Sequence, residues 1–303
     1  MRKKLHLLFY IIGFSYIVFS ASPASNSTNI FPHIKTLGVQ DPLFIQYSED
    51  VQQNYYYLAA KKEPLVQIYT YTAKASDDLL LIAARCSMPY ETIATLNRIG
   101  FLGENIVGKT LYLPTCPGVF VSKEPKTAFE IILSFSTFDT IESSCYTITN
   151  NRFDFYSNMR LDATQRAFFT DSGLRSPISK GILTSPYGYR ANPITGKKQF
   201  HQGIDIAAPE GTQVFAIKNG IVMVLDWSRV YGNYIILSHD EDKTSLYAHL
   251  SKIKVRKDDV VTGGQVIGLV GSTGLSTGAH LHFEIRLNGC SENPEGVSSR
   301  FKY

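Results

Sequence analysis

The stretch His280-Leu281-His282-Phe283-Glu284-Ile285 sets the reading of the C-terminal half of the chain. An extended chain alternates its side chains with period 2, so His280 and His282 share one face and Leu281 turns to the other. An apolar strand that carries two imidazoles on one side is a poor element of a plain core and a good element of a site. The segments around it have the same texture. Val214–Ile217, Ile221–Leu225, Tyr234–Leu237, Ser245–Ala248, Val266–Val270 and Leu281–Ile285 are short apolar runs, punctuated by Pro209-Glu210-Gly211, Asn219-Gly220 and Gly263-Gly264. Many short strands with almost no helical period predict that residues 181–303 form a mainly β domain, an antiparallel β-sandwich or sheet stack.

Five of the seven histidines lie between His201 and His282. His201-Gln202-Gly203-Ile204-Asp205 sets an imidazole and a carboxylate four residues apart across a glycine bend, and Tyr247-Ala248-His249-Leu250 ends another strand. Two imidazoles and one carboxylate make a catalytic zinc set that leaves one tetrahedral position for water. Two further histidines can then work as base and acid. His239, in a polar turn, and His6, near the N-terminus, read as ordinary residues.

The order and content of four separated motifs carry a resemblance. These are Tyr187-Gly188-Tyr189-Arg190 with Asn192-Pro193-Ile194-Thr195-Gly196; Phe200-His201-x-Gly203-Ile204-Asp205-Ile206-Ala207-Ala208-Pro209; Tyr247-Ala248-His249-Leu250; and Gly271-x-Thr273-Gly274-x-Ser276-Thr277-Gly278-x-His280-Leu281-His282-Phe283-Glu284. Residues 181–295 resemble the catalytic domain of lysostaphin-type (LytM-like) zinc metalloendopeptidases, which hydrolyse peptide bonds in the stems or cross-links of bacterial peptidoglycan. The resemblance implies His201, Asp205 and His282 as ligands of one Zn2+ per chain. It implies His249 and His280 as a catalytic pair, one acting on the bound water and the other steadying the oxyanion. Tyr247, Arg190 and Asn192 are the candidate substrate-binding residues. Some members of the family have lost ligands and activate other hydrolases. The alternative function is therefore a non-catalytic peptidoglycan-binding scaffold, although all five positions are filled here.

Upstream, Ile68–Thr72 alternate as a strand, and Leu79, Ile82 and Ala83 recur at helical spacing behind Ser76 as N-cap. Pro89 opens a second helix, and Thr110–Pro114 closes the unit as a strand. This predicts a small βααβ domain within residues 67–118. Through Leu79-x-x-Ile82-Ala83, Asn97-x-Ile99 and Gly108-Lys109-x-Leu111-Tyr112-Leu113-Pro114 it resembles a LysM carbohydrate-binding module, which implies a glycan partner. Where that family has a Gly-Asp-Thr-Leu turn, this chain has Ser76-Asp77-Asp78-Leu79. Residues 25–66 read as a linker and a poorly defined segment, with Tyr55-Tyr56-Tyr57 as a short strand. Residues 119–180 read as an α+β bridging region: strands at Phe129–Leu133, Tyr146–Thr149 and Phe153–Tyr156, and a helix at Ala163–Phe169.

Composition bounds the rest. The 303 residues allow about two domains. Arg2, Lys3 and Lys4 ahead of an apolar Leu5–Phe19 and a small-residue tail read as a signal peptide over residues 1–24, with the mature chain in the periplasm or cell envelope of a bacterium. That run is shorter than a membrane span, so no stable span is expected once the leader is cleaved. Those three basic residues supply most of the formal net charge of +4, leaving +1, which removes the electrostatic argument for a nucleic-acid partner. The four cysteines permit two disulfides in an exported chain, and Cys86–Cys116 is the expected pair.

Overall fold

The computed structural model describes residues 31–136, 142–171, 173–191, 196–239 and 242–297. Residues 1–24, where a leader is expected, and His6 and Asn192 lie outside the described residues. The chain opens with β1 (His33–Ile34) and α1 (Pro42–Ala59). Asp41 caps α1 by accepting from the Leu43 N–H, Pro42 supplies a preset φ, and Phe44, Tyr47, Val51 and Asn54 form its buried stripe. The expected strand at Tyr55-Tyr56-Tyr57 is therefore helix, and residues 42–59 are ordered where a poorly defined segment was expected. A run of three tyrosines has no period of its own. The stripe that decides the conformation lies upstream of it.

The βααβ unit forms as expected: β2 (Ile68–Thr72), α2 (Leu79–Arg85), α3 (Tyr90–Leu96) and β3 (Thr110–Pro114), with β2 antiparallel to β3. Asn97 locks the unit. Its side-chain amide donates to the carbonyls of Ile93 and Tyr112 and accepts from the Tyr112 N–H. The N-cap of α2 is Asp78, which accepts from the Leu81 N–H, and not Ser76. A cap must directly precede the first helical residue, and Ser76 stands two positions too early.

Next come β4 (Gly118–Ser122), α4 (Ala128–Ser134), β5 (Ser144–Ile148), β6 (Asn151–Ser157) and α5 (Ala163–Thr170), with sheet order β4-β6-β5. The strand expected at Phe129–Leu133 is α4. Thr127 and Glu130 cap each other's backbone N–H groups, and Ala128, Phe129, Glu130 and Leu133 are buried at helical spacing. Alternation over five residues was too short a window to separate the two periods. One apolar cluster runs from Ile34 through Ile82 and Ile93 to Phe129 and Phe169. The expected Cys86–Cys116 disulfide is absent, since all four cysteines are free. Cys86 sits in this cluster and Cys116 in a second one with Phe120 and Phe155. Burial pushes both thiols up to about 12.

The C-terminal part comprises β7 (Ile182–Ser185), β8 (Gly188–Ala191), β9 (Lys198–His201), β10 (Ile204–Ala207), β11 (Gln213–Phe215), β12 (Gly220–Ser228), β13 (Gly232–Ser238), β14 (Lys243–Ile253), β15 (Val260–Val261), β16 (Val266–Val270), β17 (His280–Leu287), β18 (Cys290–Glu292) and the short α6 (Pro294–Val297). Ten of these strands form one branched sheet, with the path β15-β12-β13-β14-β17-β10-β7. Long β14 pairs antiparallel with β13, β17 and β16, and the β11–β16 arm leaves the path there. Separate stacked sheets were expected, and the branching at β14 joins them into one. Strands β8 and β9 form a separate hairpin. One side of the main sheet is apolar, built from Ile235, Leu237, Tyr247, Leu281 and Phe283. Asp205 pairs with His282, and Ala248 also pairs with His282 from the other flank. The register thus gathers polar residues on the opposite side.

Under the apolar side runs a buried polar chain. His239 Nδ1 donates to the Asn219 carbonyl at 2.8 Å, its Nε2 lies 2.8 Å from the Ser245 hydroxyl, and that hydroxyl lies 2.9 Å from the Tyr247 hydroxyl, which accepts from the Ile217 N–H. Asn219 also donates to the Phe168 carbonyl at the end of α5, tying the N-terminal elements to the sheet. Burial pushes the His239 pKa down to about 4, with Lys218 and Lys243 adding to the fall against the pull of the Asn219 carbonyl. The folded chain keeps this imidazole neutral, whereas the unfolded chain protonates it near 6.5. Stability is therefore expected to fall as pH drops from about 6.5 to about 4, by on the order of 3 kcal/mol. Urea midpoints at pH 7 and pH 4.5 check this. The loss is expected to be smaller in a His239→Asn variant, and an equal loss in both proteins would contradict the assignment.

Candidate metal centre

Three donor atoms from three elements meet at the polar face of the sheet. His201 ends β9, Asp205 lies in β10 and His282 lies in β17. Asp205 Oδ1 is 2.8 Å from His282 Nδ1 and 3.2 Å from His201 Nε2, and the two nitrogens are 3.1 Å apart. Ligand atoms about 2.0–2.1 Å from a tetrahedral zinc stand about 3.3 Å from one another, so this set has the spacing and chemistry for one zinc ion. His201 Nδ1 donates to the Pro186 carbonyl at 2.9 Å, which leaves its Nε2 as a lone pair facing the other two donors. His282 Nε2 lies 2.9 Å from Glu284 Oε1, which leaves Nδ1 free in the same way.

The electrostatics agree with the geometry. Burial pushes the Asp205 carboxyl up, but hydrogen bonds and charge from His201 and His282 outweigh it and hold the group well below the usual carboxylate range. Burial opposes the charge of His282, yet Asp205 and Glu284 on its two sides raise its pKa. Glu284 is wholly buried. Burial works against its charge, and His282 with Arg286 keeps its carboxyl below the usual range.

The two remaining histidines stand beside this set. The rings of His249 and His280 are 4.6 Å apart, and that of His249 is 5.9 Å from His282. His280 Nε2 is 3.8 Å from Asp205 Oδ1. Both rings are anchored through Nδ1, His249 to the Thr273 carbonyl and His280 to the Gly278 carbonyl, each at 2.8 Å. A carbonyl only accepts, so both Nδ1 atoms carry hydrogen. His249 has φ +60°, a left-handed conformation that costs about 1–3 kcal/mol outside glycine. Its cause is a β-bulge: Asn233 pairs with Leu250 and Ile235 with Tyr247, so β14 carries one extra residue there. The bulge turns His249 out of the strand. Gly232 (φ +61°) and Gly274 (φ +73°) let the two flanking turns touch, since a Cβ on either would sit about 2.2–2.4 Å from the other turn. That contact brings Thr273 within reach of His249. Burial pushes the His249 pKa down to about 4, against the pull of the Thr273 carbonyl, so the ring is neutral at pH 7.

Arg190 joins the cluster through Nη2, 3.2 Å from Asp205 Oδ2. Tyr247 does not. It is wholly buried on the apolar side, and its hydroxyl is bonded to Ile217 and Ser245. Period 2 explains the difference, because Tyr247 alternates with Ala248, which pairs with His282. Glu284, Arg286 and Tyr231 also belong to the site, although the motifs assign them no role. The first two had a signal, since the period that aligns His280 with His282 continues to positions 284 and 286. Tyr231, in a turn, had none.

A sequence model of peptidase family M23 matches residues 199–294. The DD-carboxypeptidase/endopeptidase Mpg of Neisseria meningitidis serogroup B is 46% identical over 122 residues, covering 40% of this chain and 28% of that protein. The peptidoglycan DD-endopeptidase ShyC of Vibrio cholerae is 37% identical over 125 residues, covering 41% and 29%. Among solved structures, the catalytic domain of the M23 protein EnpA from Enterococcus faecalis is 35% identical, covering 40% of this chain and 95% of that one, with a TM-score of 0.36. The likeness to peptidase family M23 thus lies in residues 199–294, the segment that holds the metal-centre residues His201, Asp205 and His282. The chain spans under a third of the length of the two curated relatives.

Proposed function

We propose that this chain is an exported zinc endopeptidase that hydrolyses peptide bonds in bacterial peptidoglycan. One observation carries the reading: the donor atoms of His201, Asp205 and His282 converge to within about 3 Å of one another beside two anchored histidines. A zinc ion there would be held by His201, Asp205 and His282, and would lower the pKa of a water to around 7 and polarise the attacked carbonyl. His249 and His280 share the proton of the attacking water and the support of the developing oxyanion, their rings fixed by backbone carbonyls. Arg190 reaches the Asp205 oxygen that the two histidines leave free, which supports a part for it at the substrate's approach.

The names of the curated relatives support DD-endopeptidase activity. The leader at 1–24 and this substrate support a place in the periplasm or envelope. The βααβ unit at 68–114 supports a LysM-like module that holds the chain on glycan. The competing reading is a scaffold that binds peptidoglycan without cutting it. Incubating the full chain with purified peptidoglycan, with and without a chelator, separates the two. Soluble peptides that appear, vanish with chelator and return with added zinc are the expected result. Peptidoglycan binding with no release would favour the scaffold.

A further inference from the structure

We propose that Glu284, held by Arg286 and Tyr231, is a positioning residue that sets the tautomer and orientation of the metal ligand His282; the inference rests on the reading of the site as a zinc centre. A carboxylate only accepts hydrogen bonds. Glu284 Oε1 faces His282 Nε2 at 2.9 Å, so Nε2 carries the hydrogen and Nδ1 is the lone pair turned toward His201 and Asp205. With no such acceptor a neutral imidazole divides between two tautomers, and one of them puts a hydrogen where the metal belongs.

The carboxylate is itself fixed. The Tyr231 hydroxyl donates to Oε1 at 2.9 Å, and Arg286 donates to Oε2 through Nε at 2.7 Å and Nη2 at 2.6 Å. Every oxygen of this fully buried group is thus engaged, and the guanidinium balances its charge away from water. Tyr231 has a second attachment. Its carbonyl accepts from the His249 N–H at 2.8 Å, and its ring lies 5.7 Å from that of His282. One turn residue therefore ties the ligand side of the site to the bulge that presents His249.

Glutamine at 284 would meet a conflict. If its amide nitrogen faces Arg286, donor meets donor. If it faces His282, Nε2 must accept, and the hydrogen moves to Nδ1, where it blocks the metal. The test is zinc affinity of the full chain, measured by competition with a chromogenic chelator, for wild type, Glu284→Gln, Tyr231→Phe and the double variant, with circular dichroism to select conditions in which each is folded. Glu284→Gln is expected to weaken zinc binding about 10–100-fold. Tyr231→Phe is expected to weaken it by a smaller factor, and to add nothing in the Glu284→Gln background because it acts through that carboxylate. A purely structural role would lower the melting temperature and leave zinc affinity at the wild-type value. Zinc binding by folded Glu284→Gln within a factor of two of wild type overturns the proposal. If that variant does not fold, unchanged affinity in Tyr231→Phe overturns it equally. A wild-type chain that binds no zinc overturns the metal-centre reading with it, whereas a binding wild type with indifferent variants overturns this inference alone.

Discussion

Purified His282→Ala is expected to carry no stoichiometric zinc and to release peptides from peptidoglycan no faster than chelator-treated wild type. The substitution removes one of three protein ligands and one of the two donors to the buried Glu284 Oε1, leaving the Tyr231 hydroxyl as the other. Two remaining donors, His201 and Asp205, leave a site open on two sides to water. Elemental analysis of the purified variant checks the first part, and the peptidoglycan digest the second. Because Tyr231 and Arg286 still hold the Glu284 carboxylate, the fold is expected to survive. A variant that kept one zinc per chain would remove His282 from the ligand set.

His249→Ala is expected to do the opposite: zinc remains at one per chain while turnover falls about 10²–10⁴-fold, the usual contribution of a positioned proton-transfer group. No donor atom of the metal set contacts His249 through a hydrogen bond, and its anchor is the Thr273 carbonyl. Alanine retains the Cβ and with it the cost of φ +60°, so the bulge is neither relieved nor further strained. Side-by-side zinc content and digest rates separate this variant from His282→Ala. Loss of metal from both would show that the histidines do not divide into holders and proton carriers.

The candidate site was legible through the family resemblance of its motifs, and the local period adds which side some of its residues take. Period 2 places His280 with His282, and the β10–β17 register then brings Asp205 opposite His282, as two antiparallel strands with one polar face require. The part of the site made by exception to that period was not legible. The bulge at β14 that turns out His249 depends on pairing with β13, far off in sequence, and Tyr231 reaches Glu284 only once the β12–β13 turn has folded over β17. Tyr247 shows the same limit from the other side. Its neighbour His249 made it look like a site residue, but the alternation of β14 points it into the core. In the N-terminal elements the misreadings concern short windows. Five alternating residues at Phe129–Leu133 were outvoted by the Thr127–Glu130 capping box, and three tyrosines by a stripe that starts at Phe44. The cysteines were counted in pairs, but pairing depends on which cluster each one packs into.

The most direct test of the account is X-ray absorption at the zinc edge on the zinc-loaded full chain. Two imidazole nitrogens with light oxygen donors at about 2.0–2.1 Å is the predicted first coordination sphere, from His201, His282, Asp205 and solvent. A sulfur at about 2.3 Å, or a third or fourth imidazole drawn from His249 or His280, would contradict it.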